Sequence, residues 1–155
     1  VSYPDLRLVM LGRSGPTLAS LEARLKALKL EPFVVLKANV PQDVVAHFMQ
    51  SCDVFVLPSR SEPFGIVLVE AGAAGLPIVA CSVGGVGEVI RDGKDGILVE
   101  VDNVDAIGRA VSNLFEDPAY ARRLAETFKE RIGARFTWQE AIERYANVYD
   151  DKVLR

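Results

Sequence analysis

The residues best placed to do chemistry run from Glu62 to Glu70 and read Glu62-Pro63-Phe64-Gly65-Ile66-Val67-Leu68-Val69-Glu70. They follow an apolar run ending at Leu57 and the polar loop Pro58-Ser59-Arg60-Ser61, and the apolar stretch closes at Gly75-Leu76-Pro77. A strand, a loop and then a helix is the arrangement in which open parallel sheets bind ligands, outside the carboxyl ends of their strands. Gly65 lets a ligand approach the backbone closely. The amides of Gly65, Ile66 and Val67 open the helix without intrahelical acceptors, which makes an anion site suited to a diphosphate. The helix is apolar enough to predict burial on nearly every side. A carboxylate at Glu70 would then need hydrogen-bond partners, and a hydroxyl pair such as that of a ribose would supply them. Each glutamate also has a plainer reading. Glu62 can be a loop carboxylate that favours the helix N-terminus by a few tenths of a kcal/mol. Glu70 can be satisfied by neighbouring backbone or basic side chains.

Two further loops fall at the ends of predicted strands. Ala38-Asn39-Val40 is one, and Gly12-Arg13-Ser14-Gly15 is the other. The second lacks both G-x-G-x-x-G and the Walker lysine, which favours a plain turn over a phosphate loop. Cys52 and Cys81 have no second sulfur at metal-binding spacing and read as reduced, buried thiols. His47, the only histidine, sits among Val44, Val45, Phe48 and Met49 and reads as structural or surface-exposed. No metal site is expected.

Short β-branched runs alternate with segments of helical period, the pattern of an α/β fold whose parallel sheet carries helices on both faces. Strands are predicted at Leu6 to Leu11, Phe33 to Leu36, Val54 to Leu57, Ile78 to Cys81 and Ile97 to Val99. Core-facing helical stripes are predicted at Leu18, Leu21, Leu25 and Leu28, and again at Val104, Ile107, Val111 and Leu114. Beyond Asp117-Pro118 two more helices, about Ala119 to Ile132 and Trp138 to Val153, are expected to pack on the edge or back of the sheet. No repeat or Gly/Ser linker interrupts the 155 residues, so a single domain spanning residues 1–155 is expected.

Half of the residues are apolar, a quarter are charged and the net charge is −3. Lys and Arg are scattered, which argues against nucleic acid as a partner. No apolar run approaches the roughly 20 residues of a membrane span, and Val1 to Asp5 lacks the regions of a signal peptide. A soluble, cytoplasmic protein is expected, with at most peripheral contact to a membrane.

With 11 Glu in 155 residues, about one pair at the E-x7-E spacing arises by chance, so weight falls on its surroundings. Asp53 to Ser59, Gly75-Leu76-Pro77-Ile78-Val79-Ala80, Gly84-Gly85, Glu88 to Gly93, Gly96 to Val99 and Phe136-Thr137-Trp138 all match one pattern. Together with Glu62 to Glu70 they resemble the family 4 glycosyltransferases, retaining enzymes of the two-domain GT-B fold, over essentially the whole chain. The resemblance implies the C-terminal, Rossmann-like, nucleotide-sugar-binding half of such an enzyme, with extra C-terminal helices. It implies that Glu62 contacts the donor sugar and Glu70 the nucleotide ribose. Backbone groups at Phe64, Gly65, Ile66 and Val67 would hold the sugar and diphosphate, and Asn39 and Val40 would sit against the base. Ala38 stands where many relatives have Gly, and no Pro precedes Glu88 as it commonly does. The Arg and Lys that neutralise the diphosphate in relatives belong to a strand-helix unit expected upstream of Val1, as does the acceptor domain. The implied activity of the intact enzyme is transfer of a glycosyl group from a UDP-, GDP- or ADP-sugar with retained configuration, without a cofactor or obligatory metal, the segment alone being inactive. Another GT-B enzyme, such as an epimerase or phosphorylase, and a noncatalytic nucleotide-binding module are the alternatives.

Overall fold

The structure is a computed structural model, which describes residues 3–153, with the side chains from residue 150 onward left out of the description. The chain divides into two compact units, Val1–Phe48 and Met49–Arg155.

The first unit pairs β1 (Leu8–Gly12) in parallel with β2 (Val34–Ala38), Leu8 opposite Val34 and Gly12 opposite Ala38. Helix α1 (Leu18–Ala27) and a 3₁₀ turn at Glu31–Phe33 connect the two strands. Helix α2 (Gln42–Gln50) follows β2 and runs across the division between the units. Leu18, Leu21 and Leu25 are only half-buried and Leu28 is exposed, so the predicted core-facing stripe is not covered. Two strands and one helix offer too little apolar surface to enclose it.

The second unit pairs β3 (Phe55–Leu57), β4 (Ile78–Cys81) and β5 (Ile97–Val99) in parallel, with β4 in the centre. The register sets Phe55 against Ile78 and Val79 against Ile97. All four residues of β4 are buried, as expected of a central parallel strand covered on both faces. Val79 and Cys81 pack with Val99, Ala110, Leu114 and Leu124 in one apolar cluster.

Helix α3 (Ile66–Ala73) follows β3, and the short α4 (Val86–Val89) follows β4. Helix α3 ends because Gly75 takes a left-handed φ of 84°. Its amide bonds the Gly72 carbonyl at 2.9 Å and the Leu76 amide bonds Ala71 at 3.1 Å, the paired closure that glycine permits, before Pro77. Helix α5 (Val104–Glu116) starts where Asn103 accepts from the Ala106 amide at 3.0 Å. Helix α6 (Pro118–Arg135) starts where Asp117 accepts from Tyr120 at 2.9 Å, with proline at its first position. Val104 lies on the exposed first turn of α5, and Ala110 replaces it in the buried stripe with Leu114.

Helix α6 buries Leu124, Ala125, Phe128 and Ile132; it packs mainly on α3 and α5, and its Leu124 joins the apolar cluster on the sheet. Helix α7 (Trp138–Val153) leaves Trp138, Ile142, Tyr145, Val148 and Tyr149 exposed, so the packing expected of it is not formed. Among the described residues, no helix is long and apolar enough to cross a membrane.

Candidate functional site

The Glu62 segment lies wholly in the second unit, where three local features give it its shape. The carboxylate of Glu62, half-buried, accepts a hydrogen bond from the Gly65 amide at 2.9 Å. The loop therefore folds back on the start of α3, and a negative charge meets the positive end of the helix. Gly65 has a φ of 91°, and a Cβ there would lie 2.7 Å from Leu68 Cδ1. Gly84 and Gly85 lie beneath: the Gly85 amide donates to the Glu62 carbonyl at 3.0 Å. Side chains there would collide with the carbonyl oxygens of Glu62 and Pro63. The glycine pair is what lets the loop rest flat on the backbone behind β4.

One of the three amides offered as an anion site is thus occupied by Glu62 itself. Helix α3 buries Leu68, Ala71 and Gly72 and turns Ile66, Glu70 and Ala73 the other way. Ile66 is 66% exposed and Glu70 is half-buried, so this helix is not enclosed on every side as its composition predicted. Apolarity alone does not orient a helix whose hydrophobic residues surround it. Glu70 sits one turn beyond Ile66 on the open side, without the full burial that would make its charge costly. Phe64 is 41% exposed and Val67 is half-buried. Phe64, Ile66 and Val69 border a groove of about 670 Å³ whose other walls include Glu88, Phe136 and Trp138.

Asn39 and Val40 belong to the first unit. Asn39 has a φ of 55°, a conformation Asn tolerates better than most residues. Its side chain accepts from the Ser14 amide at 3.0 Å and donates to Ser14 Oγ at 2.7 Å, tying together the loops that follow β1 and β2. The Gly12 to Gly15 segment is thereby a turn pinned by Asn39. Beside it lies a cavity of about 390 Å³ whose lining includes Arg13, Arg24 and Lys37.

Cys81 is buried, whereas Cys52 is only half-buried. Burial, and then the charge of Asp53, pushes the Cys52 thiol above its ordinary pKa. His47 is exposed, with Nδ1 2.7 Å from the Asp43 carbonyl oxygen.

An ionic centre forms at Asp95, a residue that no local pattern in the sequence singles out. This residue is 1% exposed and accepts from the Arg91 amide at 2.6 Å, from Arg91 Nε at 2.6 Å and from Arg131 Nε at 2.8 Å. Arg131 also donates through Nη2 to the Val89 carbonyl, which joins α6 to the end of α4. In sequence Asp95 stands in Asp92-Gly93-Lys94-Asp95-Gly96, which reads as a solvated turn. Only the spatial approach of Arg131, 36 positions later, distinguishes it.

A parallel sheet with a ligand-type loop leading into α3 defines a Rossmann-like α/β unit, and comparison with known proteins gives its family. The family model of glycosyl transferases group 1 matches residues 1–131. The chain is 32% identical over 155 residues to N-acetyl-alpha-D-glucosaminyl L-malate synthase of Bacillus anthracis, covering 100% of this chain and 40% of that enzyme. An uncharacterized glycosyltransferase of Methanocaldococcus jannaschii is 36% identical over 132 residues, covering 79% of this chain and 37% of its own. Among solved structures, sucrose-phosphate synthase of Thermosynechococcus elongatus aligns with a TM-score of 0.87 at 28% identity, over 99% of this chain and 40% of that one. Anabaena HepE in complex with UDP-glucose aligns with a TM-score of 0.87 at 24% identity, over 96% of this chain and 42% of that one, which shows a shared fold. The chain belongs to the group 1 glycosyltransferase family and has the fold of the C-terminal half of a GT-B enzyme. It spans 37% to 40% of the length of the two curated relatives named here.

Proposed function

We propose that this chain is the donor-binding half of a retaining glycosyltransferase that uses a nucleoside-diphosphate sugar. The observation that carries the reading is the Glu62 to Glu70 arrangement. One carboxylate is folded onto the first turn of α3, and the other lies one turn along, on the helix side turned away from the core. A donor laid along this helix would meet Glu62 at its sugar, the first-turn amides at its diphosphate and Glu70 at its ribose. The Anabaena neighbour, whose structure contains UDP-glucose, supports the class of donor through its fold.

In this reading the helix N-terminus and basic side chains supplied by the rest of the enzyme offset the diphosphate charge, without an obligatory metal. Glu62 stabilises the charge that develops on the sugar as the diphosphate leaves on the face from which the acceptor arrives. Retention then needs no enzyme nucleophile.

Gly65→Val is a poor probe of this site, because a side chain at φ 91° beside Leu68 would strain the fold itself. The two glutamates are better. In the full-length transferase, Glu70→Gln weakens binding of nucleoside diphosphate and nucleotide sugar alike, since both carry the ribose. Glu62→Gln keeps an oxygen that can accept from the Gly65 amide, leaves nucleoside diphosphate affinity nearly unchanged and slows turnover. Loss of one charge-assisted contact made in the transition state costs about 2 to 4 kcal/mol, or roughly 30-fold to 1000-fold in rate. Titration calorimetry with UDP, GDP and ADP, alongside turnover of the matching sugars, checks both. Full transfer activity in Glu62→Gln, or equal loss of diphosphate binding in both variants, would refute the division of labour.

A further inference from the structure

We propose that Phe136 is a positioning residue that holds the sugar end of the donor loop, acting through Phe64; this rests on the donor-site reading above. The nucleotide and sugar ends of the segment are anchored by different parts of the second unit. Helix α3 is fixed from behind, where Gly72 fits so closely against Phe128 and Ile132 of α6 that even a methyl group would collide with both side chains. The proposed ribose contact, Glu70, rides on that helix.

The loop before it has no such backing for its one aromatic side chain. Phe64 is 41% exposed, and its ring meets Phe136 edge-on with centroids 6.1 Å apart and planes at 63°. That geometry gives an aromatic pair an attraction beyond simple burial. Phe136 in turn is well fixed. Its amide donates to the Ile132 carbonyl at 2.9 Å, ending α6. The guanidinium groups of Arg131 and Arg135 lie 5.8 and 6.0 Å from its ring centre. Arg131 is held by the buried carboxylate of Asp95. A continuous set of contacts thus runs from Asp95 through Arg131 and Phe136 to Phe64, whose neighbour Gly65 bonds Glu62. Phe136 meets the segment through the ring of Phe64, on the loop side of Gly65 and away from Glu70, so its effect should fall on the sugar more than on the nucleotide.

The test uses the full-length transferase and calorimetric titration with UDP, GDP and ADP and with UDP-, GDP- and ADP-glucose. Phe136→Leu retains apolar bulk but loses the ring. It is expected to weaken the accepted nucleotide-glucose about five- to tenfold, while the matching nucleoside diphosphate stays within about twofold. Phe136→Tyr restores the ring and the affinity. Phe64→Leu gives the same selective loss, and the double variant is no worse than either single one, as expected of two residues acting through one contact. Equal weakening of diphosphate and nucleotide-glucose overturns the inference, because a loosened fold would do that. Additive losses in the double variant, or an unchanged Phe136→Leu, overturn it as well. If the wild-type transferase binds none of the six ligands, the donor-site reading itself falls and takes this inference with it.

Discussion

The two units of the chain carry similar secondary structure but bury it to different depths. Among the described residues of the first unit none is fully buried, whereas β4 in the second is covered along its whole length and α6 contributes four buried residues. Each unit holds a loop at the end of a strand, and the support of each loop matches its setting. Asn39 is held by side-chain hydrogen bonds to exposed Ser14. Glu62 rests on a glycine pair, an apolar helix and, through Phe64, an aromatic contact. Under the role proposed for Glu62, its tight packing would keep a reacting group in place, whereas the Asn39 loop is held by bonds open to water.

The strongest way to break this contrast is to remove the buried ionic centre of the second unit. Asp95→Ala leaves Arg131, whose side chain is 12% exposed, without its carboxylate. Loss of one partner from a buried pair costs about 3 to 5 kcal/mol. Asp43→Ala is the control from the first unit: it removes an exposed carboxylate from the first turn of α2 and costs a few tenths of a kcal/mol. Urea denaturation of both variants measures the difference. Equal midpoints would mean that Asp95 contributes no more than a surface charge.

A smaller effect separates two glycines. Gly72→Ala gains helix propensity but drives a methyl group into Phe128 and Ile132, with a net loss of about 2 kcal/mol. Gly15 has nothing within 4 Å of an added Cβ, and Gly15→Ala stays within about 0.5 kcal/mol of the parent. Thermal melts resolve the pair, since about 2 kcal/mol corresponds to a fall of roughly 4 to 8 °C in a chain of this size.

The parts legible in the sequence were those governed by local pattern. Ile78 to Cys81 and Ile97 to Val99 match their predicted spans to the residue, because short uninterrupted apolar runs between turn signals leave few alternatives. The parallel α/β class followed from the alternation of strands and helices. Exposure was read less well. Leu28 and Val104 fit helical stripes yet lie at 56% and 75% exposure, because a stripe records a helix's own period and not what stands opposite it. Asp95 was invisible for a related reason, as its partner Arg131 lies on a distant helix. At the site, Glu62, Gly65 and Glu70 stood out through spacing and context. That Glu62 would bond the amide of Gly65 did not, since the bond depends on a left-handed glycine and on Gly84-Gly85 packed beneath it.

The smallest effect sharpens the contrast from the side of the first unit. Asn39→Ala removes the bond from the Ser14 amide and the bond to Ser14 Oγ, and it places alanine at a φ of 55°. Both bonds are exposed, so water replaces them at little cost. The left-handed backbone adds roughly 1 kcal/mol, giving about 1 to 1.5 kcal/mol in all. Asn39→Gly separates these contributions, because glycine loses the same bonds without the backbone penalty and should recover most of the loss. Hydrogen exchange at the Ser14 amide is the direct readout, and it should quicken in both variants while the amides of β4 keep their protection. If β4 loses protection too, the loop of the first unit is coupled to the core of the second, and the difference in support described for Asn39 and Glu62 would not hold.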